Sequence, residues 1–225
     1  MNAIVVMARE PQPNKVKTRL TPPLNPQTAS KIYRGFLLDR IKQISGISDA
    51  HHFIAYTPSS AVQFFRNITP DSFTLLAQEG KDLGERLSNI SYVLFEKGYE
   101  KVIIMDSDSP NLPTNHIFTA LKNLDNADLV LGPCEDGGYY LVGLSLHVPE
   151  IFKDIPWSTS EVMKTTIRRA ESAGKTISFL EKWYDVDTKE DLLRLKNDLD
   201  KQPKSPNDMY FCKNTYEIMS EFDIK

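Results

Sequence analysis

The chain has only two cysteines, Cys134 and Cys212, among its 225 residues, which excludes a disulfide framework and leaves no zinc-site spacing. Such usage fits a reducing cytoplasm. Long apolar runs are also missing. The start, Ala3 to Ala8, is too short for a signal h-region and has no basic stretch before it, and no later segment approaches a membrane span. Neither sign of charge dominates, with 27 Lys and Arg against 30 Asp and Glu. This balance argues against a general nucleic-acid or membrane-surface binder, while leaving room for a local basic pocket. Glycine is absent before Gly35, so the first loop cannot be a Walker-type phosphate loop, which needs glycines and a G-K-[ST] ending. No repeat at a fixed period and no low-complexity tract occurs.

What is present is ordinary globular composition, 40% hydrophobic and 25% charged, with length enough to bury a sizeable α/β core. Residues 1–200 read as one domain, and residues 201–225 as a linker from Gln202 into a short helix, Thr215 to Phe222, packed on the body. Apolar runs at Ala3 to Met7, His52 to Thr57, Phe73 to Ala77, Val102 to Met105 and Asp128 to Pro133 predict strands, and Lys175 to Leu180 an edge strand. From Pro26 to Ile44 the apolar residues recur at helical spacing behind Asn25, a suitable N-cap. Further helices are expected after Gly84, from Thr114 with Thr114 or Asn115 as cap, and from Val162 with a cap among Ser158, Thr159 and Ser160.

The most informative stretch is V-I-I-M-D-S-D-S-P-N-L-P, Val102 to Pro113. A buried strand runs into Asp106, Ser107 and Asp108, and Pro110 and Pro113 stop further pairing. In extended chain Asp106 and Asp108 project to one side, where a cation would offset their repulsion. Ligands of open α/β sheets bind beyond the carboxyl ends of the strands, which favours a metal and a phosphorylated substrate there. A loop that merely caps the next helix is the other reading. Arg9, Lys15, Lys17 and Arg19 gather in the loop after the first strand and form a candidate phosphate clamp, against a plain solvated basic loop. Gly80 and Gly84 either admit a ligand to the backbone near Gln78 or belong to an ordinary loop and cap. In G-P-C-E-D-G-G-Y-Y-L, Asp136 either faces a polyhydroxylated ligand or sits in a hairpin turn, and both hold if the turn places the acid. Trp157 reads first as a packing anchor. Thr188 and Asp191 resemble a capping box, with Asp185 and Asp187 just ahead of it.

Taken in order, M-A-R-E-P-x-P-x-K-V-K-T-R-L, Q-x-G-x-D-L-G-E-R-L, D-S-D-S-P-x-L, G-P-x-x-D-G-G-Y-Y-L-x-G-L, W-S-T and D-V-D-T-x-E-D-L resemble a bacterial family of GT-A type, nucleotide-diphospho-sugar transferase-like proteins described as glycosyltransferases, some linked to arsenosugar biosynthesis. It is distantly similar to molybdopterin-type nucleotidyltransferases. The resemblance spans Met1 to about Leu199 and implies a three-layer α/β/α fold with a mostly parallel, Rossmann-like sheet. It also implies metal contacts at Asp106 and Asp108, the D-x-D motif, with Asp187 as a further contact. Nucleotide or phosphate contacts then fall at Ala8, Arg9, Lys15, Lys17, Arg19, Gln78, Gly80 and Asp106. Sugar or acceptor contacts fall at Gly137, Gly138, Tyr139, Trp157, Ser158 and Thr159. The chain departs from the family pattern at Asn14, where a glycine is usual, and at Lys189, where a proline is usual.

Three functions are consistent with these residues. A metal-dependent glycosyltransferase would use Mg²⁺ or Mn²⁺ to stabilise the departing nucleoside diphosphate of a nucleotide-sugar donor, with Asp136 or Glu135 as base for a small-molecule acceptor. A nucleotidyltransferase would join a nucleoside triphosphate to a phosphorylated acceptor and release pyrophosphate, with Asp106 and Asp187 holding the metal. A nucleotide-binding protein without catalysis is the third. The glycine-free first loop places glycosyl transfer ahead.

Overall fold

Ile4, Val6 and Ala8 enter one hydrophobic cluster and Ala3 and Val5 another, so the first strand is buried on both faces and must lie inside a sheet covered above and below. The computed structural model describes residues 1–201 and 212–222. Its strands are β1 (Asn2–Arg9), β2 (Ala50–Thr57), β3 (Thr74–Ala77), β4 (Lys101–Met105), β5 (Leu129–Pro133), β6 (Tyr139–Leu144) and β7 (Ile177–Phe179). They form one sheet in the order β3-β2-β1-β4-β6-β5-β7. Pairing is parallel except where β6 runs antiparallel between β4 and β5. The mostly parallel α/β/α architecture is therefore present. Asp136 Oδ1 accepts from the Gly138 N–H at 2.9 Å in the turn that joins β5 to β6.

The helices are α1 (Pro26–Ser45), α2 (Val62–Ile68), α3 (Leu83–Glu96), α4 (Thr114–Asn123), α5 (Val162–Ser172), α6 (Lys189–Lys201) and α7 (Lys213–Ser220). One face of the sheet is covered by α1, α2, α4, α6 and α7, through residues such as Phe36, Phe65, Ile117, Leu195 and Met219. The other is covered by α3 and α5, through Leu87, Leu94 and Ala170. No helix among the described residues is long and apolar enough to cross a membrane.

Local signals explain several boundaries. Asn25 Oδ1 accepts from the Thr28 N–H at 2.8 Å and starts α1, and Asp82 caps α3 through the Glu85 N–H. Thr188 and Asp191 form the expected reciprocal cap of α6. Two expected caps are not formed. Pro113 precedes α4, and the Thr114 hydroxyl instead accepts from the buried Gln43 amide. Glu161 precedes α5, and Thr159 closes its own turn by donating to the Pro156 carbonyl.

The linker expected from Gln202 lies outside the described residues. The final helix begins two residues earlier than expected and rests on α1. It has no side-chain cap of its own. Asp39, buried in the middle of α1, serves instead, accepting from the Asn214 and Thr215 N–H groups at 3.0 and 2.8 Å. Asp39→Ala strands those donors, and a lowered urea midpoint corresponding to a loss of about 1–3 kcal/mol is expected.

Candidate active site

β4 ends where the Asp106 N–H donates to the Tyr140 carbonyl at 3.0 Å, its last contact with β6. The chain then turns, with Asp106 Oδ1 accepting from the Asp108 N–H at 3.1 Å. Ser107 ties the turn to β1 and α1, bonding the Met7 carbonyl at 3.1 Å and the Tyr33 hydroxyl at 2.8 Å. Burial, with Asp108 nearby, pushes the Tyr33 phenol up to about 12, so it stays a neutral hydrogen-bonding group. Beneath the following loop lies Arg40, fully buried on α1, with its guanidinium on Gln43 and on the Ser109 carbonyl. Gln43 in turn donates to the Leu112 carbonyl. The loop that carries the acids is thus held by polar residues of the first crossover helix.

Two Asp-x-Asp segments meet at this end of the sheet. Asp106 from the first and Asp185 from the second place potential ligand atoms, with Cys134, within 4.8 Å of one another. Ser109 donates to Asp185 Oδ1 at 2.6 Å and the Cys134 thiol to Oδ2 at 3.2 Å. Burial, reinforced by Asp185 and Asp108, raises the Asp106 carboxyl well above the usual range. Burial and Asp108 push Asp185 up to about 6. No ion pair reaches either acid among the described residues. Half-buried, repelling carboxylates that make no ion pair, with only the more distant Arg40 guanidinium opposing their charge, fit a divalent cation. The carboxylate oxygens suit Mg²⁺ or Mn²⁺, whereas burial and the neighbouring acids push the Cys134 thiol up and keep it a hydrogen-bond donor to Asp185.

The other two acids have a counter-ion already. Lys17 Nζ lies 2.5 Å from Asp108 Oδ1 and 2.9 Å from Asp187 Oδ1, and Arg19 is 3.6 Å from Asp187. Burial opposes charge on Lys17, but the two carboxylates outweigh it and raise its pKa. Burial also works against Asp187, and Lys17 nevertheless holds its carboxyl below the usual range. The cleft beside this group has a volume of about 450 Å³ and is lined by Arg9, Lys15, Lys17, Arg19 and Ser158, together with the two acids. Sequence spacing put Asp106 and Asp108 on one ion. In the fold their closest partners differ, Asp106 facing Asp185 and Asp108 facing Lys17.

The remaining expected residues are distributed as follows. Gln78 bridges the Ala8 and Ala55 carbonyls at 3.2 and 2.7 Å, so its amide joins the ends of β1 and β2. Gly80 has a φ of +138°, and a Cβ there would meet the Arg86 nitrogen at 2.8 Å, so it shapes the entry to α3. Glu135 is clamped by Arg194 at 2.8 and 3.1 Å, and that pairing lowers its pKa. Asp136, Glu135, Arg19, Asp185 and Asp187 border a second cavity of about 210 Å³. Tyr139 packs edge-on against Trp157 with ring centres 6.3 Å apart, both partly buried against the second core cluster. Gly137, with a φ of +94°, accepts from the Met163 N–H through its carbonyl and so fixes the hairpin to α5.

Asp185, Cys134, Tyr33 and Arg40 were not selected from the sequence. Arg40 left a trace: it falls three or four residues from Phe36, Leu37 and Ile44, on the apolar stripe of α1 where a charge needs a buried partner.

A family model described as an uncharacterized protein conserved in bacteria (DUF2064) matches residues 40–159, just over half of the chain. A solved protein from Desulfovibrio desulfuricans G20, provisionally described as a nucleotide-diphospho-sugar transferase, is 31% identical, with a TM-score of 0.88 over 98% of this chain and 94% of that one. The 2-phospho-L-lactate guanylyltransferase of Methanocaldococcus jannaschii is 30% identical over 132 residues, 58% of this chain. The match spans 55% of that protein's length. A cytidylyltransferase from Leptospira borgpetersenii shares the fold at 14% identity, with a TM-score of 0.56 over 98% of this chain and 94% of that one.

The hairpin that carries Asp136 depends on Gly137. A Cβ there would lie 2.4 Å from the Ser160 carbonyl oxygen, whereas at Gly174, also left-handed, it would meet nothing within 4 Å. In thermal unfolding, Gly174→Ala is expected to cost only the left-handed strain of about 1–2 kcal/mol. Gly137→Ala is expected to cost more, because backbone must move as well.

Proposed function

The chain belongs to this bacterial family, and on that premise we propose that it is a nucleotidyltransferase, moving a nucleoside monophosphate from a nucleoside triphosphate to a phosphorylated small-molecule acceptor with release of pyrophosphate. The observation that carries the reading is the basic cleft of the β1 loop, lined by Asp108 and Asp187, the outer members of the two Asp-x-Asp segments whose inner members, the half-buried Asp106 and Asp185, converge within 4.8 Å. Exposed Arg9, Lys15 and Arg19 would receive the phosphates of the donor, as cations at the mouth of a cleft do. Asp106 and Asp185 would hold Mg²⁺ or Mn²⁺, which when bound supplies neutralisation of phosphate charge.

Arg19 lines both the larger cleft and the smaller cavity near Asp136. A donor in the first and an acceptor in the second would therefore share one guanidinium. An ionised phosphate acceptor attacks the α-phosphorus with its own oxygen, the bond to pyrophosphate breaks, and no general base is required. This agrees with Glu135 being committed to Arg194. It also agrees with the phosphorylated acceptor in the name of the Methanocaldococcus relative.

Glycosyl transfer was placed ahead because the loop has no glycine. Asn14 and Lys17 adopt φ values of +64° and +46°, so the loop makes its left-handed turns without one and that argument loses its force. Calorimetry with Mn²⁺ is expected to show a nucleoside triphosphate binding about tenfold or more tighter than the matching nucleotide sugar. Chelator, Asp106→Asn or Asp185→Asn should abolish that binding. Tighter binding of the nucleotide sugar would return the glycosyltransferase reading, and no metal-dependent binding of either would remove both.

A further inference from the structure

Of the four cations in the β1 loop, Lys17 alone is turned inward. Its side chain is 3% exposed, against 68% for Arg19, and its ammonium sits 5.9 and 5.5 Å from the ring centres of Tyr33 and Phe36. Its backbone is left-handed, at a φ of +46°, where it opens the short 3₁₀ turn Thr18–Leu20. An exposed phosphate-binding lysine needs neither the burial nor the unfavourable backbone. Something at this position requires a cation held from inside.

The two Asp-x-Asp segments supply that requirement. Aligned side by side they form two tiers, Asp106 with Asp185 in the inner one and Asp108 with Asp187 in the outer one. The inner tier has no ion pair among the described residues, whereas the outer tier shares the Lys17 ammonium at 2.5 and 2.9 Å. Lysine is a compact point charge, unlike the planar fork of arginine, and two carboxylates converging on it from remote segments resemble the way such groups converge on a metal ion. Asp108 and Asp187 are 39% and 38% exposed, so water could complete a coordination shell there if the lysine were gone.

We propose that Lys17 is a tethered cation in the place of a second divalent ion, so that the protein binds one metal ion, at the inner tier, and Lys17→Met turns it into a two-metal protein. The inference rests on the reading of Asp106 and Asp185 as the metal pair. It concerns the number of ions the chain accepts, which the transfer reaction alone does not set.

The test counts bound Mn²⁺ per chain by electron paramagnetic resonance, without nucleotide, on the full chain. Wild type is expected to bind one ion, Lys17→Met two, and Lys17→Met with Asp187→Asn one. A single ion in Lys17→Met, or two in the wild type, overturns the proposal and leaves the nucleotidyltransferase reading untouched. No ion in the wild type overturns the proposal as well, whatever Lys17→Met binds, because the inner tier is then not a metal site. Because Lys17→Met strands two carboxylates, its melting temperature is read with and without Mn²⁺. The expected result is a low value that Mn²⁺ restores, with a smaller Mn²⁺ shift in the wild type. A lysine serving only as a structural salt bridge predicts a loss that Mn²⁺ does not repair, and that result, or a variant that fails to refold even with Mn²⁺, overturns the proposal.

Discussion

Holding Asp106, Asp108, Asp185 and Asp187 together against their mutual repulsion is the constraint from which much of this architecture follows. Two of the acids lie after β4 and two before α6, and burial makes their repulsion stronger than it would be in water. Three different devices manage it. Lys17 neutralises the outer pair, hydroxyl and thiol donors from Ser109 and Cys134 satisfy Asp185, and the buried Arg40 faces Asp106 from below. Each comes from a different part of the chain, so the site exists only when the whole sheet is assembled.

Much of the framework was legible because its signals are local. The apolar run Val102 to Met105 followed by prolines, the Asn25 cap and the Thr188–Asp191 box all act within a few residues, and each appears as expected. The site was legible only as segments. Both Asp-x-Asp strings were visible, but their pairing was not: spacing within one string suggests that Asp106 meets Asp108, whereas tertiary contact joins Asp106 to Asp185. Lys17 and Asp187 are 170 residues apart, and nothing near either one announces the other. Trp157 was legible as a packing anchor, and its ring meets that of Tyr139 against the second core cluster.

The first loop shows how a missing residue type can mislead. Glycine tolerates positive φ without steric cost, and its absence from the first loop was what placed glycosyl transfer ahead of nucleotidyl transfer. Asn14 is among the residues that reach this region with least strain, while Lys17 reaches it with two carboxylates and two aromatic rings holding its side chain. Backbone strain in one place is balanced by side-chain contacts in another. Composition alone therefore could not separate the two transferase readings.

The first crossover helix links the site to the C-terminal segment. On α1, Asp39 receives the N-terminus of α7, while its neighbours Arg40 and Gln43 hold the carbonyls of Ser109 and Leu112 in the loop behind the acids. Cys212, just ahead of α7, donates its thiol to the Pro110 carbonyl at 3.0 Å and touches that same loop. Polar residues on a buried helical face are costly unless each finds a partner, and here the partners are backbone groups that have no strand to pair with. The Ser109 carbonyl also accepts from the Leu112 N–H within the loop, and the polar run on α1 supplies the further donors to these two carbonyls. That match explains why α1 carries Asp39, Arg40 and Gln43 at buried positions among Phe36, Leu37, Ile41 and Ile44.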